Sequence, residues 1–333
     1  MTEKSSETRN SGLPRRRVKA GLSYFWLAVS VLASILIWGW LFNYKMAIVL
    51  VVSILVHEYG HYYWMGREGI KKRKMMMIPP FGAIAMAQDP FPGYAAENRI
   101  ALAGPGIGLA ALFGFYFLLS VTGQSMWAAA VVITAYINLL NLIIPISVLD
   151  GGRVIKSTLF SLNYYLGMAF AVFGLAASVA LGIYVSPIGF LIAYGVWREI
   201  KNVSGARKDV EIINAELQML KDSREITVER LKMAKMLIDG EGISEEMRGL
   251  LRDDKDEMSR LKEKLDAKES ELASQKEIAK KVAYPILMTG GEILIGLGSF
   301  VLIIGVYFYF LNLMSQYVAF SPLNISDLIK YFN

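Results

Sequence analysis

No cysteine occurs among the 333 residues of the chain, and only two histidines do. Without cysteine the chain can form neither a disulfide nor a thiolate metal site, so a bound metal would have to be held by His, Asp or Glu. Charge is scarce as well: 19% of the residues are charged and 54% are hydrophobic, whereas roughly a quarter are charged in an ordinary soluble domain. This composition is typical of a helical protein that crosses a membrane several times.

The formal net charge of +6 does not indicate a nucleic-acid partner. Much of the basic excess lies beside apolar segments, where cytoplasmic anchoring and anionic lipid headgroups explain it. We therefore expect membrane lipids, and no nucleic acid, among the partners of this chain.

Long apolar runs set the predicted membrane topology. The run at residues 21–42 is too long for a signal peptide and lacks a small-residue cleavage site. The stretch at 187–197 is short for a crossing of roughly 20 residues, so we count six to seven spans. The other predicted transmembrane helices are residues 46–66, 100–122, 126–146, 164–184 and 286–313.

Basic residues predict the orientation of these helices. With the N-terminus in the cytoplasm and seven crossings, the basic clusters all fall on the cytoplasmic side, as the positive-inside rule expects. These inward residues are Arg67, Lys71, Lys72, Arg73, Lys74, Arg99, Arg153, Lys156, Arg198, Lys201, Arg207 and Lys208.

Residues 203–283 differ in composition from the rest of the chain. They are rich in Glu, Lys, Arg and Leu, with a turn predicted at residues 239–242, so we expect two helices joined there. One interpretation is a helical hairpin or short coiled coil that self-associates; the other is a pair of solvated helices without a partner. The apolar residues at heptad spacing are Met247, Leu251, Met258, Leu261, Leu265 and Leu272.

This change in composition also predicts the domain boundaries. The expected parts are a basic N-terminus, a transmembrane core, the cytoplasmic charged region, a last transmembrane helix and a tail. Their predicted limits are residues 1–20, 21–202, 203–283, 284–313 and 314–333.

The second apolar run contains the sequence His57-Glu58-Tyr59-Gly60-His61. On a helix, two histidines four positions apart lie on one face and can bind the same metal ion. Glu58 can act as a general base toward a water molecule, which is its role in metalloproteases with this pattern. Because an ionisable side chain inside a membrane segment is costly, chance is a poor explanation of the pattern.

Two histidines leave a zinc site one protein ligand short, with a further position for water. Asp150 is the single acidic residue between Glu97 and Glu199, and it follows the fourth apolar run. Pro145 opposes continuation of that helix, and the two glycines after Asp150 permit a turn that aims its carboxylate. The alternative, a water-facing residue at a helix end, is weaker once an incomplete histidine site is present. Asp150 is therefore the predicted third ligand.

Together these residues resemble the site-2 protease family of intramembrane metalloproteases. The resemblance covers roughly residues 46–160, and its two-part metal motif is specific. The segments that carry it are His57-Glu58-x-x-His61, Ala103-Gly104-Pro105 and Asn141…Pro145…Leu149-Asp150-Gly151.

The resemblance implies zinc held by His57, His61 and Asp150, with Glu58 activating water. It further implies that Asn141 helps to position the substrate carbonyl or the developing oxyanion; a structural hydrogen-bonding role is equally open. Asn138 is interpreted as structural.

The segment at residues 75–88 resembles the membrane-associated β-hairpin of that family. Such a strand edge could hold an unwound substrate, which makes Phe81, Gly82 and Ala83 candidate substrate-binding residues; an ordinary interfacial loop is the alternative. The chain departs from the family pattern at Gly108, where an Asn is common, and at Ser147, where a second proline is common.

The predicted fold class is an all-α polytopic membrane protein of about six to seven transmembrane helices. A short membrane-associated β-hairpin or loop and a cytoplasmic, coiled-coil-like helical insert complete it. The N-terminus and the opening of the active site are expected on the cytoplasmic side, because the histidines lie roughly 9–15 Å from Arg67 along the helix.

The predicted function is intramembrane zinc metalloproteolysis, that is, regulated intramembrane proteolysis of single-span or membrane-tethered proteins. One alternative is a membrane zinc protease of the prenyl-protein or quality-control type, whose third ligand is a Glu on a later helix. The others are a metal-ion transporter and a catalytically silent membrane scaffold. A transporter usually needs ionisable groups on several helices, whereas here they concentrate at one site.

Overall fold

The computed structural model of the protein describes residues 20–79, 82–240, 242, 244–283, 285–319 and 325–332. Within these ranges the chain is mostly helical, with one two-stranded antiparallel sheet. A short 3-10 helix, Ile325–Tyr331, follows the last α-helix. The elements are α1 (Ala20–Leu41), α2 (Tyr44–Arg67), β1 (Arg73–Ile78), β2 (Gly82–Ala87), α3 (Tyr94–Thr122), α4 (Ser125–Ile143), α5 (Asp150–Leu162), α6 (Tyr164–Tyr184), α7 (Ile188–Asp239), α8 (Glu245–Ala283) and α9 (Gly290–Met314).

Five of these helices are long and apolar enough to cross a membrane: α2, α3, α4, α6 and α9. Helix α1 adds a shorter apolar stretch, Phe25–Leu41. Length and apolar composition of this kind are what a bilayer core about 30 Å thick demands. The protein is therefore an integral membrane protein, and the predicted polytopic helical fold with its hairpin is confirmed.

Helix α4 is the central helix of the membrane core and contacts α2, α3, α5 and α9. Every residue from 128 to 133 is buried, because this helix is apolar on all sides and is surrounded by other helices. Small residues at 128–130 let neighbouring backbones approach closely, as is common where helices pack inside a bilayer. The side chains that α4 directs toward α2 are consequently held in fixed positions.

Helices α2 and α3 cross closely at two glycines. A Cβ atom added to Gly60 would lie 2.3 Å from the carbonyl oxygen of Ala103 and 2.9 Å from the Cα atom of Gly104. A larger residue at position 60 would therefore push the two helices apart. This crossing lies beside the histidine pair of α2.

The strands β1 and β2 form a hairpin with Arg73 opposite Ala87 and Ile78 opposite Gly82. β1 contacts α1, and β2 contacts α2. Met77 is buried in a small apolar cluster with residues of α1 and α2, which anchors the hairpin to the membrane helices. The hairpin thus lies against the same helix that carries the two histidines.

Helix α4 ends at Ile143, three residues before the predicted end of this run. Ile144 is extended (φ −71°, ψ 117°) because a residue that precedes proline is disfavoured in the helical region. A Cβ atom at Gly151 would lie only 1.6 Å from the carbonyl oxygen of Leu142. The beginning of α5 therefore packs directly on the end of α4, which requires glycine at this position.

The charged region forms two long helices, as predicted. Helix α7 has 52 residues and α8 has 39, and the two contact each other along their length. Helix α7 continues without a break through the predicted domain boundary at residue 202, so that boundary is compositional and stays a prediction. Of the predicted heptad residues, Leu272 is buried, whereas Met247 and Leu261 are exposed. Self-association through this helical pair likewise stays a prediction.

We expect Gly60→Ala to destabilise the protein, because the added methyl group would collide with the backbone of α3. Overpacking of this kind costs about 1–3 kcal/mol of unfolding free energy. Unfolding of the detergent-solubilised protein, followed by its helical circular dichroism, measures the effect. Gly298→Ala in α9 is the matched control: nothing lies within 4 Å of a Cβ atom there, and alanine favours a helix interior by about 1 kcal/mol. Equal stabilities of the two variants would contradict the close crossing.

Candidate metal centre

The two histidines of α2 lie on one face of the helix and are both buried. Their Nε2 atoms are 3.1 Å apart. This is the arrangement expected of side chains one helical turn apart. The helical spacing alone therefore brings the two predicted histidines together.

Asp150 reaches the histidine pair from the first turn of α5 and is itself buried. Its Oδ2 atom lies 3.0 Å from His57 Nε2, and its Oδ1 atom lies 3.2 Å from His61 Nε2. A carboxylate at a helix N-terminus is stabilised by the positive end of the helix dipole. The structure thus brings together the three side chains that the sequence suggested as metal ligands.

The partners of the other ring nitrogens determine which histidine atoms are free. His61 Nδ1 lies 2.7 Å from the carbonyl oxygen of Ile100, which can only accept, so Nδ1 carries the hydrogen. Asn138 Nδ2 donates to the carbonyl oxygen of Thr134, which turns its Oδ1 toward His57 Nδ1 at 2.7 Å. Both imidazoles therefore direct an Nε2 lone pair toward Asp150, as histidine ligands of metals do.

These three groups fit a zinc ion. A tetrahedral zinc with ligand bonds of about 2.0–2.1 Å separates its ligand atoms by roughly 3.3 Å, close to the 3.0–3.2 Å separations in this site. A proton could join only one pair of these lone-pair donors, whereas one divalent cation can join all three. Gly104 keeps the space open, because a Cβ atom there would lie 2.2 Å from His61 Nε2.

Asn141, the second predicted catalytic residue, lies at the same site but contacts the predicted ligands. Its Nδ2 atom donates to Asp150 Oδ2 at 2.6 Å and lies 3.1 Å from His57 Nε2. Its Oδ1 atom accepts from the backbone N–H of Asp150 at 3.4 Å. Asn141 therefore orients Asp150 in this structure.

Glu58, the predicted general base, faces the hairpin. Its Oε2 atom accepts a hydrogen bond of 2.7 Å from the backbone N–H of Ala85 in β2. The carboxylate is thus fixed by a strand and stands one residue from His57.

Of the candidate substrate-binding residues, Gly82 and Ala83 lie in β2, and Phe81 lies outside the described residues. Gly82 has φ +111°, a conformation that favours glycine at the start of the strand. Ala83 packs against the apolar cluster formed with α1 and α2. These two residues are therefore close to α2.

Asn138 was interpreted from the sequence as structural, yet it contacts a candidate ligand directly. The glycine at position 108 explains how it fits. A Cβ atom at Gly108 would lie 2.6 Å from Asn138 Oδ1 and 2.9 Å from the hydroxyl of Tyr307, which donates to the carbonyl oxygen of Pro105. The departure from Asn at position 108 thus accommodates Asn138 and the tyrosine that α9 contributes.

Sequence reasoning also missed a second buried polar cluster beside the metal centre. Lys156 of α5 donates to Glu97 of α3 at 2.5 Å and to Glu199 of α7, and Ser147 donates to Glu199 at 2.8 Å. Opposite charges at positions 97, 156 and 199 close to the ends of apolar runs were the available signal, but their pairing depends on how the helices pack. Glu199, the first acidic residue after Asp150, is therefore bound to Lys156 and Ser147 and is not a ligand of the histidine pair.

Comparison with known proteins finds that part of this chain is similar to one protein family. The family model described as Peptidase family M50 matches residues 45–126. A zinc metalloprotease of Methanocaldococcus jannaschii is 29% identical over 160 residues, which cover 46% of this chain and 44% of the relative. A candidate zinc metalloprotease of Synechocystis sp. is 29% identical over 133 residues, which cover 37% of this chain and 34% of the relative. No solved structure matches the chain.

These matches cover only part of this chain and of its relatives. The chain spans less than half the length of either relative. The family match includes the two histidines, Glu58 and the hairpin, and it ends before Asn141 and Asp150. The third ligand is therefore supported by the geometry of the buried cluster.

We expect Asp150→Ala to weaken zinc binding by at least about 100-fold, since even an outer partner of a metal ligand is worth 10–100-fold. Zinc content after equilibration against a chelator measures the loss. Asp209→Ala, an exposed aspartate of α7, is the control and should keep wild-type zinc. Full zinc retention by Asp150→Ala would support the rival site with a glutamate ligand.

We expect Asn138→Leu to lower zinc affinity by about 10–100-fold, because His57 would lose the acceptor that orients it. Chelator competition measures the affinity. Thr134→Val is the matched control, since Thr134 is one turn away on α4 and bonds Ser53 instead of a histidine. If both variants bind zinc equally well, Asn138 has no orienting role.

Proposed function

We propose that the chain, whose residues 45–126 match the model of peptidase family M50, is a zinc-dependent endopeptidase of membranes. It hydrolyses peptide bonds within or next to the transmembrane segments of its substrates. The observation that carries this proposal is the convergence of two histidine Nε2 atoms and one carboxylate at a buried point beside a glutamate. The substrate class is single-span or membrane-tethered proteins.

In this proposal His57, His61 and Asp150 hold the zinc ion. A zinc ion bound there would supply a Lewis acid able to polarise the substrate carbonyl and to acidify a water molecule. Glu58 takes the proton of that water and later returns it to the leaving amine. Its position one residue after His57 and its bond to Ala85 fix the carboxylate between α2 and the hairpin.

Asn141 has two proposed roles. It orients Asp150 by accepting from its backbone N–H and donating to its carboxylate. An amide N–H directed into the site is also a suitable donor to the oxyanion that develops during attack on a carbonyl. The same side chain therefore serves the ligand and the substrate.

The hairpin is the proposed binding surface for the substrate backbone. In an antiparallel pair, alternate residues direct their N–H and C=O groups to the partner strand and away from it. The Ala85 N–H points away from β1 to Glu58, so the same edge carries the backbone groups of Ala83 and Ala87. An unwound substrate could add to this edge as a strand, which would bring its peptide bonds next to Glu58.

The proposed orientation has the N-terminus and the opening of the site on the cytoplasmic side. The basic clusters of the chain support it through the positive-inside rule. Regulated intramembrane proteolysis is the process that such a site would serve.

The alternatives explain fewer of the observations. A membrane protease with a glutamate ligand requires that glutamate near the histidines, whereas Glu199 is bound to Lys156 and Ser147. A metal-ion transporter or a silent scaffold has no need of a fixed carboxylate beside the first histidine. The endopeptidase proposal accounts for Glu58 as well as for the three ligands.

We expect Glu58→Gln to retain zinc and to lower kcat by about 10²–10⁴-fold, because the amide cannot accept the proton of water. Cleavage of a single-span substrate in detergent or liposomes, together with zinc content, measures both. Glu68→Gln is the control: this residue follows the last residue of α2, pairs with the partly exposed Arg99 away from the histidines and should leave cleavage unchanged. Equal turnover by Glu58→Gln and wild type would refute the assignment.

A further inference from the structure

Glu199 joins helix α7 to the segment that carries Asp150. Its Oε2 atom accepts from the Ser147 hydroxyl at 2.8 Å, and its Oε1 atom accepts from Lys156 Nζ. Ser147 lies in the loop just before Asp150 and is buried, and Lys156 lies on α5, nearly two turns after Asp150. One side chain of α7 therefore holds the chain on both sides of Asp150.

Lys156 has two carboxylate partners, but only one of them touches the loop. Glu97 of α3 accepts from Lys156 at 2.5 Å and makes no described contact with Ser147. Removing either carboxylate leaves the lysine with one negative partner. Glu97 and Glu199 therefore both pair with Lys156, but only Glu199 also contacts the loop. Variants of the two residues can be compared directly.

Charge within this cluster is strongly stabilised. Burial disfavours the charged form of Lys156, but attraction by Glu199 and Glu97 outweighs it and raises the pKa of the lysine. Burial likewise opposes ionisation of Glu199, yet Lys156 and the Ser147 hydroxyl lower its pKa. The ion pair is therefore kept charged although Lys156 is buried. A largely buried ion pair is a weak source of net stability, so stability alone does not account for this one.

The cluster contacts the chain on both sides of Asp150, which suggests that it helps to position this residue. The loop between α4 and α5 has no regular structure, and Asp150 must be aimed within a fraction of an ångström to share an ion with the histidines. Asn141 orients the carboxylate from α4. The loop has a second contact, the bond from Ser147 to Glu199, which comes from a different helix.

We propose that Glu199 is a positioning residue for Asp150, which it holds through Ser147 on one side and through Lys156 on the other. Helix α7 thereby becomes part of the scaffold of the metal site. Because α7 continues as one helix to Asp239, its charged cytoplasmic extension is connected to the ligand by backbone and one side chain. This inference rests on the proposed function, since the role it assigns is toward a ligand named there.

A double-mutant cycle tests the contact between Glu199 and the loop. We expect Glu199→Ala and Ser147→Ala each to weaken zinc binding about 10-fold, as outer partners of a ligand do. The double variant should bind zinc no more weakly than the weaker single variant, because Glu199→Ala already removes the bond that Ser147→Ala removes. Zinc affinity in purified full-length protein, measured by chelator competition, is the primary readout. Where substrate is cleaved, kcat should fall while KM changes by less than about twofold, since neither residue touches substrate.

Two further variants separate positioning from general stability. Glu199→Gln keeps an oxygen for Ser147 and should restore most of the zinc affinity that Glu199→Ala loses. Glu97→Ala removes the other carboxylate from Lys156 and should keep near-wild-type zinc affinity, even where its melting temperature falls. Glu211→Gln, an exposed residue of α7, controls for changes on that helix. Should Glu199→Ala fail to fold, Ser147→Ala and Glu199→Gln carry the test.

The possible results separate the positioning role of Glu199 from the proposed zinc protease function. Additive losses in the cycle, equal zinc affinity of Glu97→Ala and Glu199→Ala, or an unchanged affinity in Ser147→Ala would overturn the positioning role alone. Wild-type protein that binds no zinc would overturn both. Non-additive losses with rescue by Glu199→Gln would support the assignment.

Discussion

The structure depends on a buried point at which three lone-pair donors converge, of which, among the described residues, only Asp150 and His57 have a hydrogen-bond donor, Asn141, within reach. The Nε2 atoms of His57 and His61 are 3.1 Å apart and both face the carboxylate of Asp150 within 3.2 Å. All three side chains are buried, and the Nδ1 hydrogens of both rings are engaged with Asn138 and with the carbonyl oxygen of Ile100. A cation that accepts all three donors removes the repulsion, and a low dielectric strengthens its attraction to the carboxylate. The rest of the structure keeps these donors in that position.

The packing of the helices serves this requirement in concrete ways. Glycine at position 60 lets α3 approach α2, and glycine at 104 leaves the room beside His61 that a side chain would fill. Glycine at 151 lets the start of α5 sit on the end of α4, which brings Asp150 to the histidines from the opposite side. Glycine at 108 admits Asn138. Gly60 and Gly151 allow close backbone contact, which is how helices associate in lipid, where burial of apolar surface gives no driving force. Gly104 and Gly108 instead leave room for the side chains of His61 and Asn138.

The histidine pair could be predicted from the sequence because its spacing matches the helical period, a local property of the chain. Asp150 could be predicted by elimination, since acidic residues are rare in this part of the chain. The end of α4 was predicted three residues late, because the hydrophobic run continues through Pro145 although the helix does not. Asn138 was given only a structural role, because its contact with His57 depends on how α4 is rotated against α2, and no local pattern encodes that rotation. The continuity of α7 past residue 202 was also missed, since a change in composition does not interrupt a helical backbone.

The cost of burying charge explains how the polar groups are distributed. A buried charge needs a partner, and a removed partner leaves an uncompensated charge that is more costly than the pair. In this protein the buried ionisable groups are accordingly joined to one another: Lys156 to Glu97 and Glu199, and Asp150 to the histidines. Ser147 lies between the two groups, bonded to Glu199 and only a few residues before Asp150. A displacement of α7 that breaks the bonds of Glu199 would therefore misalign Asp150 against the histidines, because Ser147 and Asp150 belong to the same short segment.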